Sequence, residues 1–120
     1  MIRREGSYRT EMRENMRGGQ GKIKIEHLWQ PEEMEHRARL FARLTIEPEC
    51  GIGFHEHLGE AEVFVVISGQ AKMMDHDQEV ILRAGDTILT SESGHAVEAI
   101  GDQPLIMLAV ILNHLQKENC

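Results

Sequence analysis

The chain has 120 residues, of which 41% are hydrophobic and 28% charged, a composition typical of one globular domain. Its 20 acidic and 13 basic residues give a formal charge of −7, which disfavours nucleic acid and anionic membranes as partners because phosphates need a basic face. Two cysteines, Cys50 and Cys120, make no disulfide framework, and no apolar run is long enough for a signal peptide or a membrane-spanning helix, so we expect a cytoplasmic location.

Residues 1–20 are predicted to form an N-terminal arm that precedes a single barrel domain over residues 21–120. The arm contains five arginines and few apolar residues, and it ends in the glycine-rich stretch GGQG. It is expected to form either a short helix over residues 10–17 or a mobile tail. An ordered arm could also cross onto a partner subunit.

The rest of the chain has the periodicity of β-strands. Residues 22–26 alternate strictly, and residues 38–46 keep a period of two over nine residues, which predicts a half-buried strand. One helical turn is expected at residues 31–36, which begin Pro-Glu-Glu. Further short strands are predicted at residues 62–67, 71–74, 79–82, 86–90, 95–100 and 104–112. About nine short strands with regular turn signals indicate an all-β sandwich or barrel.

A cluster of histidine and glutamate lies where the most apolar run begins, in GFHEHLGEAEVF at positions 53–64. Residues two apart on a strand point to the same side, so His55 and His57 aim together while Glu56 points away. Their imidazoles can reach one zinc-like ion with bonds of roughly 2.0–2.1 Å. Histidines in exposed polar turns are also common, so this pair by itself is weak evidence for a metal site.

Glu62 strengthens the hypothesis of a metal site. It follows His57 at an odd offset, so the chain must break near Gly59 for Glu62 to share the inward face of Phe64 and Val66. A carboxylate at the head of an apolar row needs a partner, since the burial of an isolated charge is costly. A cation held by the two histidines would be such a partner, although the glutamates of this segment could equally be solvated.

Two motifs in this sequence resemble those of the cupin family. The first, HxH-x4-E-x6-G, covers residues 55–69. The second is degenerate: it begins at Gly85-Asp86 and ends at Gly94-His95, where a turn delivers a histidine to the start of a strand. The resemblance covers residues 38–112. Within the family, the chain is similar to the small single-domain bacterial cupins, many of which have no assigned substrate.

The resemblance implies a double-stranded β-helix, the jelly-roll barrel, with one divalent metal near its mouth. Cupins hold this metal through three histidines and one glutamate, and the matching residues here are His55, His57, Glu62 and His95. Such a ligand set leaves coordination positions open and suits Fe, Mn, Ni or Zn. Cupins also resemble one another in pairing their sheets, so we expect a homodimer.

Other residues were assigned by alternation and by residue type. The walls of a substrate pocket are predicted to be Phe54, Phe64, Met73, Val97 and Met107. The candidates for a second acid or base are Glu60, Glu98 and His76. The remaining histidines, His27, His36, His76 and His114, are expected at the surface. The core strands contain no cluster of arginine or lysine, which disfavours sugar phosphates and oxalate as substrates.

Two functional hypotheses follow from the site. In the first, the protein is a metal-dependent enzyme acting on a small molecule, of the dioxygenase, decarboxylase or isomerase type, in which Glu62 could move off the metal to handle a proton. In the second, the barrel binds a metal and a small ligand without turnover, as a binding or sensor module. A metal that only stabilises the fold is a third alternative.

Overall fold

The computed structural model describes residues 1–75 and 77–114. Its ten strands are β1 (Arg9–Glu14), β2 (Lys22–Trp29), β3 (Ala38–Ile46), β4 (Gly51–Glu56), β5 (Glu60–Ser68), β6 (Gln70–Asp75), β7 (Gln78–Arg83), β8 (Thr87–Ser91), β9 (Gly94–Ile100) and β10 (Leu105–Asn113). Two 3-10 turns lie at Met16–Gly18 and Pro31–Met34, the second at the predicted helical turn. His76 and the C-terminal residues 115–120, including Cys120, lie outside the described residues. In the part that is described, no helix is long and apolar enough to span a membrane.

The strands form two antiparallel sheets. The larger has the order β1-β2-β3-β10-β5-β8 and the smaller has the order β4-β9-β6-β7. The inward rows of both sheets are apolar, and they meet in one core that contains Ile46, Phe64, Met73 and Met107. This is the predicted all-β jelly roll, and the predicted strand at residues 38–46 coincides with β3.

The N-terminal arm differs from the predicted helix or tail. Residues 9–14 form an edge strand, β1, which pairs with β2 from Arg9 opposite His27 to Glu14 opposite Lys22. The helix was predicted from composition, but the alternation in β1 matches an edge strand with one face toward the barrel. The chain then turns through Met16–Gly18 and contacts β4 in the smaller sheet.

The outer face of β10, β5 and β8 is also apolar. Val110 pairs with Val63, and Val63 pairs with Leu89, which forms an outward row across the three strands. Ile67 and Leu89 are 49% and 63% exposed. Strands that are apolar on both faces have unbroken hydrophobic sequences, which explains the runs VFVVI and LIMLAVIL.

Candidate metal centre

Four side chains from three strand ends converge at one end of the barrel. His55 lies in β4, His57 follows the end of β4, Glu62 lies in β5, and His95 is the second residue of β9. Each of the four offers a ligand atom, and these atoms lie within 4.8 Å of one another. His95 Nε2 lies 3.1 Å from the Nε2 atoms of both His55 and His57. The structure therefore brings together all four predicted ligands in a cluster that could hold a metal.

A β-bulge in β4 puts His55 in this cluster. Ile52 pairs with Val97 and His55 pairs with His95, so two residues of β4 lie opposite one residue of β9 between these pairs. The extra residue changes the alternation, and both Ile52 and His55 point inward. Phe54 points outward instead, with its ring over Gly94, and is 55% exposed.

The Nδ1 atom of each imidazole has its own hydrogen-bond partner. For His55 the partner is the carbonyl oxygen of Gly53 at 2.9 Å, for His57 it is Glu60 Oε1 at 2.9 Å, and for His95 it is Thr90 Oγ1 at 3.0 Å. Partners of this kind fix the ring orientation and leave the lone pair of Nε2 free to bind a metal. All three Nε2 atoms face the same point.

The geometry of the cluster fits a transition metal. Two nitrogens bound at right angles, each about 2.1 Å from an ion, are roughly 3.0 Å apart, and the observed Nε2 separations are 3.1 Å. Glu62 Oε1 is buried and lacks a hydrogen-bond partner among the described residues, although the Nε2 atoms of His57 and His95 lie 2.8 and 2.9 Å away. A cation bound at this point would satisfy the carboxylate and separate the converging lone pairs.

The electrostatics of Glu62 favour its charged form. Burial raises the pKa of Glu62, but contacts with His55 and His95 and the charges of nearby imidazoles lower it to about 2. The carboxylate is therefore ionised at neutral pH, which a metal ligand requires.

Glu60, a candidate second acid or base, contacts His57, one of the four clustered residues, instead. It accepts hydrogen bonds from Arg39 at 2.8 and 2.9 Å and lies 2.9 Å from His57 Nδ1. The hydrogen bond from Arg39 outweighs burial and lowers the pKa of Glu60 to about 2. A bulge in the pairing of β3 with β10 leaves Arg39 as the extra residue between Leu40 and Ala38, which aims it at Glu60. Glu98, another candidate, faces Lys72 at 3.5 Å in a different surface region.

A cavity of about 110 Å³ opens onto the cluster. Its wall includes His55, His57, Glu62 and Phe64. Of the five predicted pocket residues, only Phe64 lines it. Met73, Val97 and Met107 are buried in the closed core, because alternation places them inward but further along the barrel. Phe54 lies outside the cavity because the bulge in β4 turns its side chain outward.

Two cavity residues, Glu11 and His27, were missed from the sequence. His27 was expected at the surface, but it is 8% exposed, and its Nε2 lies 3.2 Å from Glu11 Oε1. Continuing the alternation of Ile23 and Ile25 by one step would have placed His27 on the inward face. His36 is exposed as expected, and His114 is half exposed beside Glu92.

The cavity also contains arginines, which corrects the argument against anionic ligands. Arg13, Arg17 and Arg39 line it. Arg13 and Arg17 belong to the arm, and Arg39 reaches the cavity from the bulge in β3, so the core strands gave no sign of them. The cavity wall thus contains more arginines than carboxylates, three against Glu11 and Glu62, although the net charge of the whole chain is −7.

The comparisons with known proteins agree with this geometry. A family model described as a cupin domain matches residues 42–111. An oxalate-binding protein of Thermotoga maritima is 37% identical over 113 residues, which cover 93% of each chain. A crystal structure from T. maritima, described as a predicted oxalate decarboxylase, has a TM-score of 0.90 at 37% identity and covers 94% of this chain and 99% of its own.

A cupin domain from Schizosaccharomyces pombe shares the fold at a TM-score of 0.69 with 7% identity, covering 86% of this chain and 68% of its own. The family model spans more than half of the chain, and it includes the four clustered residues at one end of the jelly roll. The chain is therefore a small cupin.

Proposed function

We propose that this protein binds one divalent transition metal, of the set Fe, Mn, Ni and Zn, through His55, His57, Glu62 and His95. We further propose that it uses the open coordination positions to bind a small dicarboxylate of the oxalate class. The observation that carries the proposal is the position of the cluster: three of its four residues, His55, His57 and Glu62, lie in the wall of a cavity that also contains three arginines.

The chemistry of the cavity supports a carboxylate ligand. A bound divalent metal would supply a Lewis acid that attracts carboxylate oxygens. Guanidinium groups bind carboxylates through two parallel hydrogen bonds, so arginine in the wall favours the same ligand class. A cavity of about 110 Å³ limits the ligand to a few heavy atoms. The relative from T. maritima that is called an oxalate-binding protein has 37% identity to this chain, which supports the choice of oxalate as the first ligand to test.

The first experiment measures the metal content of untagged protein, followed by calorimetric titration of the metal-loaded form with oxalate. We expect about one equivalent of metal in the wild type and none in His57→Ala, with oxalate binding only to the loaded form. Acetate is the control ligand, since it has one carboxylate. If the protein binds a metal but no small carboxylate, the remaining hypothesis is a metal that only stabilises the fold.

A second candidate function is decarboxylation. Cleavage of the oxalate C–C bond releases carbon dioxide, and the remaining fragment takes up one proton to become formate. The pair formed by His27 and Glu11, 3.2 Å apart in the cavity wall, supports this reaction, because it can hold the proton that the product needs.

This candidate is tested by measuring formate and carbon dioxide after incubation of the metal-loaded protein with oxalate. We expect His27→Gln to bind metal and oxalate normally and to form formate at least tenfold more slowly. Oxalate binding without any formate from the wild type would identify a binding or sensor module.

We also propose that the protein is a cytoplasmic homodimer. The outer apolar face of β5, β8 and β10 supports a dimer, because patches of this kind mark interfaces. In a light-scattering measurement of mass in solution, the wild type should be a dimer and Leu89→Glu should be a monomer. Ile81→Glu, on β7 of the other sheet, is the control. A monomeric wild type would contradict the proposal.

A further inference from the structure

The N-terminal arm forms part of the wall of the metal cavity. Glu11, Arg13, Met16 and Arg17 line the cavity together with three of the four proposed metal ligands. The region matched by the cupin family model begins at residue 42, so these four residues lie outside it. The site of this protein therefore includes side chains that the family pattern does not specify.

Backbone contacts hold the arm against β4. Gly51 N donates a hydrogen bond to the carbonyl oxygen of Gln20 at 2.9 Å. A Cβ atom at Gly53 would lie 2.0 Å from the carbonyl oxygen of Arg17, and a Cβ atom at Gly19 would lie 2.3 Å from the carbonyl oxygen of Gly51. Only glycine allows so close an approach of two backbones. The backbone position of Arg17 is therefore fixed by the fold.

The backbone of Arg17 adopts an unfavourable conformation. Its φ and ψ angles are 55° and 29°, and those of Asn15 are 50° and 42°. Asparagine tolerates the left-handed region, whereas arginine adopts it at a cost in free energy. Strain of this kind at a residue that is not glycine persists where the surrounding structure holds it in place.

Arg17 also differs from the other two cavity arginines in its charge environment. Arg13 lies 3.2 Å from Glu11, and Arg39 is bound by Glu60. Within residues 1–75 and 77–114, no carboxylate forms an ion pair with Arg17. Its charge is therefore available to an anion that enters the cavity.

We infer that Arg17 is the residue that determines ligand specificity in this site, by binding the carboxylate of the ligand that is more distant from the metal. This inference rests on the proposed function and deepens it. The metal binds one carboxylate of any ligand, and Arg17 adds a second contact that only a dianion can use. The arm thereby selects dicarboxylates over monocarboxylates.

The test compares wild type, Arg17→Gln and Arg17→Lys, with Arg4→Gln as a matched control elsewhere in the arm. Metal content and thermal stability are measured first, because a positioning or structural role would change them. The metal-loaded proteins are then titrated with oxalate, malonate, inorganic phosphate and acetate. We expect Arg17→Gln to keep one metal, to bind oxalate 10- to 100-fold more weakly, and to bind acetate unchanged. Arg17→Lys should recover part of the loss, and Arg4→Gln should match the wild type.

The outcomes separate this inference from the proposed function. Equal oxalate affinity in wild type and Arg17→Gln, or an equal loss for acetate, overturns the role of Arg17 while the proposed function stands. If the wild type binds malonate but not oxalate, and Arg17→Gln weakens that binding, oxalate is the wrong ligand and the role of Arg17 stands. Binding of phosphate alone overturns both the dicarboxylate ligand and the role of Arg17. If the loaded wild type binds none of the four anions, both are wrong.

Discussion

The two ends of the barrel interior are built from the same strands but have opposite character. At the closed end, β5, β9 and β10 contribute Val66, Val97 and Met107, which are buried among other apolar side chains. At the open end, β5 and β9 contribute Glu62 and His95, which are equally buried. Phe64 joins the two ends, since its ring stacks on His95 with the centroids 5.2 Å apart.

This difference shows how one fold separates stability from function. The alternation of inward residues continues through both ends, so the strands themselves do not change. Only the residue types change, from apolar groups that stabilise the fold by burial to polar groups that need a partner. Substitutions at the closed end should therefore lower stability and leave metal binding intact, whereas substitutions at the open end should weaken metal binding.

The largest effect on stability is expected from Met107→Ala at the closed end. Met107 is fully buried, and truncation of such a side chain costs about 2–5 kcal/mol through lost burial and the cavity left behind. Chemical denaturation measures the loss, and metal stoichiometry should stay at one. Met74→Ala, on an exposed methionine of β6, is the control, with an expected change of about 0.5 kcal/mol or less. Metal loss in folded Met107→Ala would contradict the separation of the two ends.

His57→Ala tests the open end. Metal that binds only the folded state stabilises it by about 4 kcal/mol at a thousandfold excess over Kd, so the wild-type melting temperature should rise with added metal. His57→Ala should lose this rise because it lacks one of the converging Nε2 atoms. The exposed His36→Ala should retain it. A full metal-dependent rise in His57→Ala would show that the ion binds elsewhere.

The pH dependence of the metal-free protein tests the charge of Glu62. Its pKa in the folded state is lowered to about 2 from 4.5, so the ionised carboxylate contributes stability above about pH 4.5. That contribution is lost as the pH falls through 2. A shift of this size corresponds to about 3 kcal/mol as an order of magnitude. The difference in unfolding free energy between wild type and Glu62→Gln should shrink from pH 5 to pH 2. A difference that stays constant over this range would contradict the lowered pKa of Glu62.

The smallest effect is expected from Glu60→Gln, which touches the metal site only through His57. Loss of such a partner typically weakens metal binding 10- to 100-fold, which is about 1.4–2.7 kcal/mol. The amide can still accept a hydrogen bond, so we expect a value near tenfold in a competition titration with a chelator. Glu56→Gln, whose side chain points away from the site, should bind metal like the wild type. Equal metal affinities in the wild type, Glu60→Gln and Glu56→Gln would show that Glu60 does not contribute to metal binding.

The sequence was sufficient to predict most of the strands and the clustered residues, but not the edge strand β1. The nine-residue alternation over 38–46 matches β3, because a half-buried strand has a period of two. The turn at Gly59, with φ of 74°, restarts the chain so that Glu62 faces inward. The convergence of His55, His57, Glu62 and His95 followed from local spacing and from the resemblance to the cupins.

The errors occurred where local alternation was broken or where distant segments meet. Phe54 was placed in the pocket and proved to be outside, because the bulge in β4 reverses the phase between Ile52 and His55. The one signal was Gly53, which lies in the bulge, because glycine inside a strand often marks a bulge. The outward apolar face of β5 and β10 was recognised only from the sheet pairing.

The sequence by itself determined which residues alternate, because alternation depends on neighbours a few positions apart. Its two motifs, through their resemblance to the cupins, also indicated which residues could bind a metal. Only the tertiary structure decided that Arg17 and His27 share a cavity with His57. Their proximity depends on the pairing of β1 with β2 and on the close approach of Gly19 to Gly51. These contacts join residues far apart in the chain, so no periodic pattern in the sequence encodes them.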